Sequence, residues 1–454
     1  MSKQDPWAPF VPTSDDPWDL GKVAHLHRRA GFGATRAKLL RDLKDGPKAS
    51  VDRLLSPPKS DTDAAQVVES LKQGVLDSGD GERLKAWWLY RILFGTDPLR
   101  EKLTLFWHGH FATSDRKVGS VPLMLGQNET LRRHALGEFA DLLNAMIPDP
   151  AMLVWLDGAG SKKEKPNENF AREFLELFTL GVGHYTEKDV KEASRAFAGW
   201  VREGRDFRRG DVFRFDATQA DDGEKTFLKQ TGRWKPADIV RITLEQPACA
   251  EFLCRKLYRY FLSEAKEPTE LIRPLAEQLR KNKYSIRHVV EVILRSRHFY
   301  AMENRRQRVA GPVEFSAGLL RVLEVPRPDV RLLSLAAACA RQGQDLFHPP
   351  NVKGWDGGRT WLSSTTVLER GNWSNDVVWG NEDQGLRAYD PLAWAKRHGV
   401  APGKAAEAFL DLLLQQDVDA KDRELILRTG RDGSPDAVRK ALQLILHCPE
   451  YQLA

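Results

Sequence analysis

The stretch PNENFAREFLELFTLGVGHYTEKDVKEASRAFAGW (166–200) reads as two helices joined at a glycine. Apolar and aromatic residues recur at helical spacing from Glu168 to Leu180, and Gly181 is a natural C-terminal cap. Thr186 supplies the N-cap of a second helix that reaches about Trp200. Directly after it, WVREGRDFRRGDVFRFDAT (200–218) alternates charge with Val and Phe around Arg-Gly-Asp. That alternation predicts the one convincing β-hairpin of the chain.

Working outward, the helical pattern dominates on both sides. From Leu20 to about Ile147 it includes RAKLLRDL (36–43), capped by Thr35, and KAWWLYRILF (85–94). Residues 157–167 and 219–235 read as polar loops, and Pro236 to about Gln342 as helix after helix. HPPNVKGWDGG (348–358) prevents a helix across 343–361, because its prolines and glycines break the pattern. A Gly- and Asn-rich linker is expected over about 371–390, and the tail from Pro391 reads as three or four short helices. The expected fold is mainly α: a multi-helical body with one small β-hairpin at about 200–218 and long ordered loops. It divides into an irregular arm (1–20), a helical main domain carrying the motifs (21–375), and a C-terminal helical segment packed on the same body (376–454). IRHVVEVILRSRHFY (286–300) and VRKALQLILHCPEYQ (438–452) align without a gap and suggest a repeated helical hairpin.

Composition narrows the function classes. Hydrophobic residues at 41% and charged residues at 29% of 454 are ordinary for a soluble globular protein and argue against a disordered or membrane-embedded chain. No stretch approaches the roughly 18 uncharged apolar residues of a spanning helix. A net charge of +6 spread over this length makes a mixed surface rather than a nucleic-acid stripe. Cys249, Cys254, Cys339 and Cys448 form no C-x-x-C pair and are expected to be buried free thiols. The opening MSKQDPWAPFVPTSDDPWDLG has no apolar core, so as written the chain is expected in the cytoplasm.

Four constellations could carry chemistry. In FWHGHF (106–111), His108 and His110 share a face only on extended backbone; on a helix they stand about 200° apart. Gly109 could unwind the helix end and let both converge on a metal. In 166–186, Glu168, Asn169, Arg172, Glu173, Glu176 and Thr179 fall on one helical arc, with Arg172 placed to pair with Glu176 at i,i+4. Glu173 has no such partner, which makes it the principal functional carboxylate expected, with Glu176 its neighbour. FDATQADDGEKTF (215–227) presents Asp221 and Asp222 on a turn. GQDLFHPPNVKGWDGGRTWL (343–362) places His348, Asn351, Lys353, Asp356 and Arg359 beside Trp355 and Trp361, a combination suited to sugar rings or planar groups. The catalytic candidates are therefore Glu173, Glu176 and His108. Candidate ligand contacts are Asn169, Arg172, His348, Asn351, Trp355 and Asp356, and the candidate metal set is His108, His110, Asp221 and Asp222. No nucleophile elbow, P-loop, dinucleotide fingerprint or H-E-x-x-H motif is present.

RRAGFGAT (28–35), TLFWHGHFATS (104–114), DPAMLVWLDG (149–158), the 166–190 block, AFAGW (196–200), DDGEKTF (221–227), GPVEF (311–315) and PPNVKGWDGG (349–358) stand in one order. Together they resemble the bacterial domain-of-unknown-function 1800 family over nearly the whole chain. The resemblance brings no established activity or catalytic residues. It implies that relatives are often exported and encoded beside a sulfatase-like partner of the DUF 1501 family. Ala220 departs from the family's frequent histidine before the DDG turn, which would leave a ligand set there incomplete.

Two readings stand side by side. One is a metal-assisted or carboxylate-based, hydrolase-like enzyme with a Trp-lined polar cleft and a divalent metal ion as its candidate cofactor. The other is a non-catalytic glycan- or protein-binding assembly module working with a sulfatase-like partner. A third, lesser reading is weak polyanion binding through ENRRQRV (303–309).

Overall fold

The computed structural model describes residues 5–58, 62–206, 210–265, 268–415 and 417–454. Twenty-three α-helices and two small antiparallel pairs of strands make up the regular structure among them. The expected mainly helical fold is the observed one. Local signals explain many boundaries: Thr35 caps Arg36–Leu55 through Lys38 N, and Thr186 closes a capping box with Asp189 on Glu187–Phe197. The tail, expected as three or four short helices, forms four among the described residues: Pro391–Arg397, Ala405–Leu413, Ala420–Thr429 and Pro435–His447.

Three expectations are corrected. The helix from Glu168 is α-helical only to Glu173 and continues as a π-helix over Phe174–Thr179. Leu180 N accordingly reaches the Leu175 carbonyl, at 2.9 Å, before Gly181 turns into the left-handed region (φ 80°). The hairpin over 200–218 is real: β1 (Trp200–Asp206) pairs with β2 (Gly210–Phe215), and its turn at 207–209 lies outside the described residues. It is not the only one, however. β3 (Lys225–Phe227) pairs with β4 (Gln230–Gly232) inside the expected loop, across Leu228 and Lys229, both at positive φ. Finally, much of the expected linker is helix Ser364–Trp379, capped by Ser363 and anchored by buried Arg370, Trp373 and Val377.

Two hydrophobic clusters hold the body. One gathers Trp107, Phe139, Phe178, Leu257 and Ile293; the other gathers Trp88, Leu320, Trp373, Leu410 and Ile445. The arm belongs to the first: Trp7 and Phe10 are buried, and Trp7 Nε1 donates to the Leu271 carbonyl at 2.9 Å. The internal echo has a structural counterpart. Ile286–Arg295 and Pro435–His447 are each capped by a serine, each followed by a short turn, and each sits in a different cluster. All four cysteines are buried free thiols. No helix among the described residues is long and apolar enough to cross a membrane.

Helix Pro98–His110 lies where the clusters meet. Asp97 caps it through Arg100 N at 3.0 Å, Pro98 opens its first turn, and it is buried on nearly every side. Its C-terminal end carries His108 and His110, both buried.

Candidate anion-binding cleft

The helix runs unbroken to His110, so His108 and His110 diverge instead of converging. His108 accepts from the Phe347 N–H at Nε2 (3.1 Å) and lies between the rings of Trp88 and Trp355. Burial pushes its imidazole down to about 3, so it is neutral. His110 Nε2 stands 3.0 Å from the Phe178 carbonyl, and its Nδ1 is 2.9 Å from Lys256 Nζ. A carbonyl only accepts, so Nε2 carries the hydrogen and Nδ1 accepts from the lysine. Lys256 also donates to the Leu177 carbonyl at 3.2 Å. His110 and Lys256 thus satisfy two backbone carbonyls that the π-helical end leaves open.

The 343–361 loop docks on this helix end. Phe347 sits at φ 64°, held by the His108 bond and by its own carbonyl accepting from Asp115 N at 2.9 Å. Asn351 accepts from Lys353 N at its side chain and from Gly354 N at its backbone, which forms a tight turn. Gly354, at φ 83°, then lays its backbone on Gly109, and Trp355 packs over His108. His348 points elsewhere, with Nδ1 2.9 Å from Asp345, which also takes Lys85.

Between this loop, helix Pro98–His110, helix Pro247–Phe261 and the segment before Pro312 opens a cleft of about 750 Å³. Among the described residues six cations line it: Lys256, Arg259, Arg306, Arg308, Lys353 and Arg359. Three carboxylates among the described residues do so: Glu264, Glu314 and Asp356. Glu314 is already spent, because Lys102 and Arg308 both donate to it in the buried floor. Arg306 is committed to Asp417 and to the Leu414 and Glu450 carbonyls. Lys256, Arg259, Lys353 and Arg359 have no carboxylate within ion-pair distance among the described residues. Burial pushes Lys256 down to about 8. Tyr260, Trp355 and Trp361 provide aromatic wall.

The residues singled out from sequence divide sharply. His110, Trp355 and Asp356 line this cleft together with Lys353 and Arg359. His108, His348 and Asn351 shape the loop from behind it. Glu173 and Glu176 do not line it. Arg172 does not pair with Glu176: it binds Glu187 bidentately (2.7 and 2.8 Å) and Glu168 at 3.4 Å, while Glu176 accepts from the Tyr185 hydroxyl at 2.9 Å. Glu187, the first residue of the next helix, offers Arg172 a bidentate carboxylate, and Glu176 is taken by the Tyr185 hydroxyl instead. Asn169 donates weakly to the Leu156 carbonyl. Asp221 is held by Arg195 and Lys225 and accepts from Gly223 N, so the DDG turn is neutralised from within, and Asp222 is exposed beside it. The proposed set of His108, His110, Asp221 and Asp222 is not assembled, and no group of three or more His, Cys, Asp or Glu suited to a metal occurs among the described residues.

Sequence reasoning missed Lys256 and Arg259, which sit in an amphipathic helix where cations read as a solvated face. Arg306 and Arg308 were signalled by the run ENRRQRV, which forms one wall.

The family model described as "Protein of unknown function (DUF1800)" matches residues 25–453. No curated protein and no solved structure matches the chain.

Proposed function

The chain belongs to the DUF1800 family, and from that premise we propose that its cleft binds an anionic sugar, one bearing sulfate or carboxylate. The supporting observation is the excess of unpaired cations in one concave site: Lys256, Arg259, Lys353 and Arg359 against Asp356 and Glu264. Arginine forks match planar or tetrahedral oxyanions, and the Trp355 and Trp361 walls suit a pyranose face. Asp356, Gln307 and Gln344 offer acceptors and donors for hydroxyls. The volume accommodates a short oligosaccharide. Of the two readings open from sequence, this favours ligand recognition over a metal-assisted hydrolase. A sulfatase-like partner of the DUF 1501 family, implied by the resemblance, would act on the same class of sulfate ester.

The test is calorimetric titration with a heparin-type sulfated disaccharide and its desulfated counterpart, at low and high salt. Binding should require sulfate, weaken with salt, and fall at least tenfold in Arg259→Ala/Arg359→Ala. Equal binding of both sugars, or of neither, overturns the anionic-ligand reading.

A further inference from the structure

We propose that Lys256 is a reactive amine that captures an aldehyde or ketone carrying an anionic group, by forming an imine inside the cleft. The inference rests on the anionic-ligand reading above and adds a covalent step to it. Geometry carries it. Lys256 Nζ lines the cleft, and two of its donor directions are taken by His110 Nδ1 (2.9 Å) and the Leu177 carbonyl (3.2 Å). That fixes the amine, whose Nζ also stands 5.1 Å from the centroid of the Phe252 ring, and with two hydrogens committed the lone pair of the neutral form is left unused. No carboxylate pairs with it among the described residues, so nothing locks it as an ammonium. Its two partners are both neutral, because His110 is held well below its ordinary value by burial and by Lys256 itself. A structural lysine buried this way is ordinarily given an acid to neutralise it; this one is given a neutral acceptor and an open cavity.

The surrounding cations supply the rest. Arg259, Arg359 and Lys353 would hold the anionic group of the ligand and bring its carbonyl carbon to the amine. The ammonium first loses a proton to cleft water, since His110, with Nε2–H committed to Phe178, is too weak a base. The neutral nitrogen then attacks the carbonyl carbon: a C–N bond forms, the π pair moves to oxygen, and that oxygen takes a proton. Loss of water from the carbinolamine, with the nitrogen's second hydrogen leaving as a proton, gives the imine. Amine plus carbonyl becomes imine plus water, with no change of oxidation state. Burial places the amine near pH 8, so an appreciable share is uncharged close to neutrality.

The test uses pyridoxal 5′-phosphate as the probe and pyridoxal as its phosphate-free control. Each is incubated with the full chain and trapped by cyanoborohydride, whose hydride converts an imine to a stable secondary amine. Peptide mapping by mass spectrometry should find Lys256 labelled ahead of every exposed lysine, at least tenfold faster by the phosphate form, with labelling rising through about pH 8. Lys256→Arg keeps a donor to His110 and Leu177, should fold, and should lose this label while the exposed lysines keep theirs. Label confined to surface lysines in the wild-type chain overturns the proposal without needing any variant. If Lys256 stays unlabelled while the sulfated disaccharide binds, the covalent step fails and the binding reading stands. If both probes label Lys256 equally and the disaccharide does not bind, the amine is reactive and the anionic-ligand reading fails.

Discussion

Gly354 lies so close to Gly109 that a Cβ at 354 would collide with the Gly109 carbonyl oxygen. Gly354 also occupies φ 83°, a region L-residues enter at a cost. By contrast, a Cβ on helical Gly109 would meet only Trp355, at 4.0 Å. Gly354→Ala is therefore expected to destabilise the fold by about 2 kcal/mol or more and to unseat the Trp355 loop. Gly109→Ala should be neutral or stabilising by up to about 1 kcal/mol, through helix propensity. Thermal unfolding and disaccharide titration of the two variants check the contrast; equal behaviour would remove the close approach as the reason for glycine at 354.

Glu314 underlies the cleft floor. It accepts from Lys102 and Arg308 and from the Gly311 N–H, and these cations hold its carboxyl down to about 2 despite burial. Glu314→Gln leaves two buried cations facing a neutral amide and should cost about 3–5 kcal/mol. The folded value lies below the ordinary one of 4.5, so this stabilisation is complete above pH 4.5 and is lost as pH falls toward about 2. Denaturant unfolding across that acid range should show a steeper loss in the wild type than in the variant.

The contrast between these two sites and the ones missed shows what local sequence can carry. Caps such as Thr35 and Thr186, and the glycine and proline content of 348–358, act within a few residues of themselves, and the helices and the Trp355 loop were legible for that reason. The β3–β4 pair was not. Its turn residues are Leu228 and Lys229, poor turn formers held at positive φ while Leu228 N donates to Asp189 from a distant helix. The π-helical turn was hidden similarly, because its open carbonyls are met by His110 and Lys256 from two other helices. Helical spacing could place Glu173 and Glu176 on one face, yet the partners of that face are decided by packing.

Asp149 makes a pH prediction of opposite sign. It is buried, accepts from Gln127 Nε2 at 2.8 Å and from Met152 N at 2.9 Å, and has no cation paired with it among the described residues. Burial raises its carboxyl to about 6 against an ordinary 3.8. The fold therefore favours the protonated acid, and stability should fall as pH rises from about 3.8 to about 6 and stay level above. Asp149→Asn keeps the acceptor for both donors and should flatten that slope, with unfolding free energy at pH 7 unchanged or higher. A slope that survives the substitution assigns it to another group.

The last prediction concerns the two glutamates of the π-helical segment. Glu173 is half-buried with no hydrogen-bond partner among the described residues. Burial and the neighbouring Glu176 push its carboxyl up, while Lys353 and Arg172 pull it down. Lys353 is also a cation of the cleft, so Glu173 drains part of the field that an anionic ligand would use. Exposed pairs of this kind are worth about 0.2–1 kcal/mol. Glu173→Gln should therefore tighten disaccharide binding by about 1.5- to 5-fold. It should leave the melting temperature equal or higher, because a like-charge repulsion is removed. Glu176→Gln retains an oxygen to accept from the Tyr185 hydroxyl and should change neither quantity appreciably. If Glu173→Gln instead abolishes binding in a normally folded protein, Glu173 touches the ligand itself, and the carboxylate expected from sequence to matter most is the functional one.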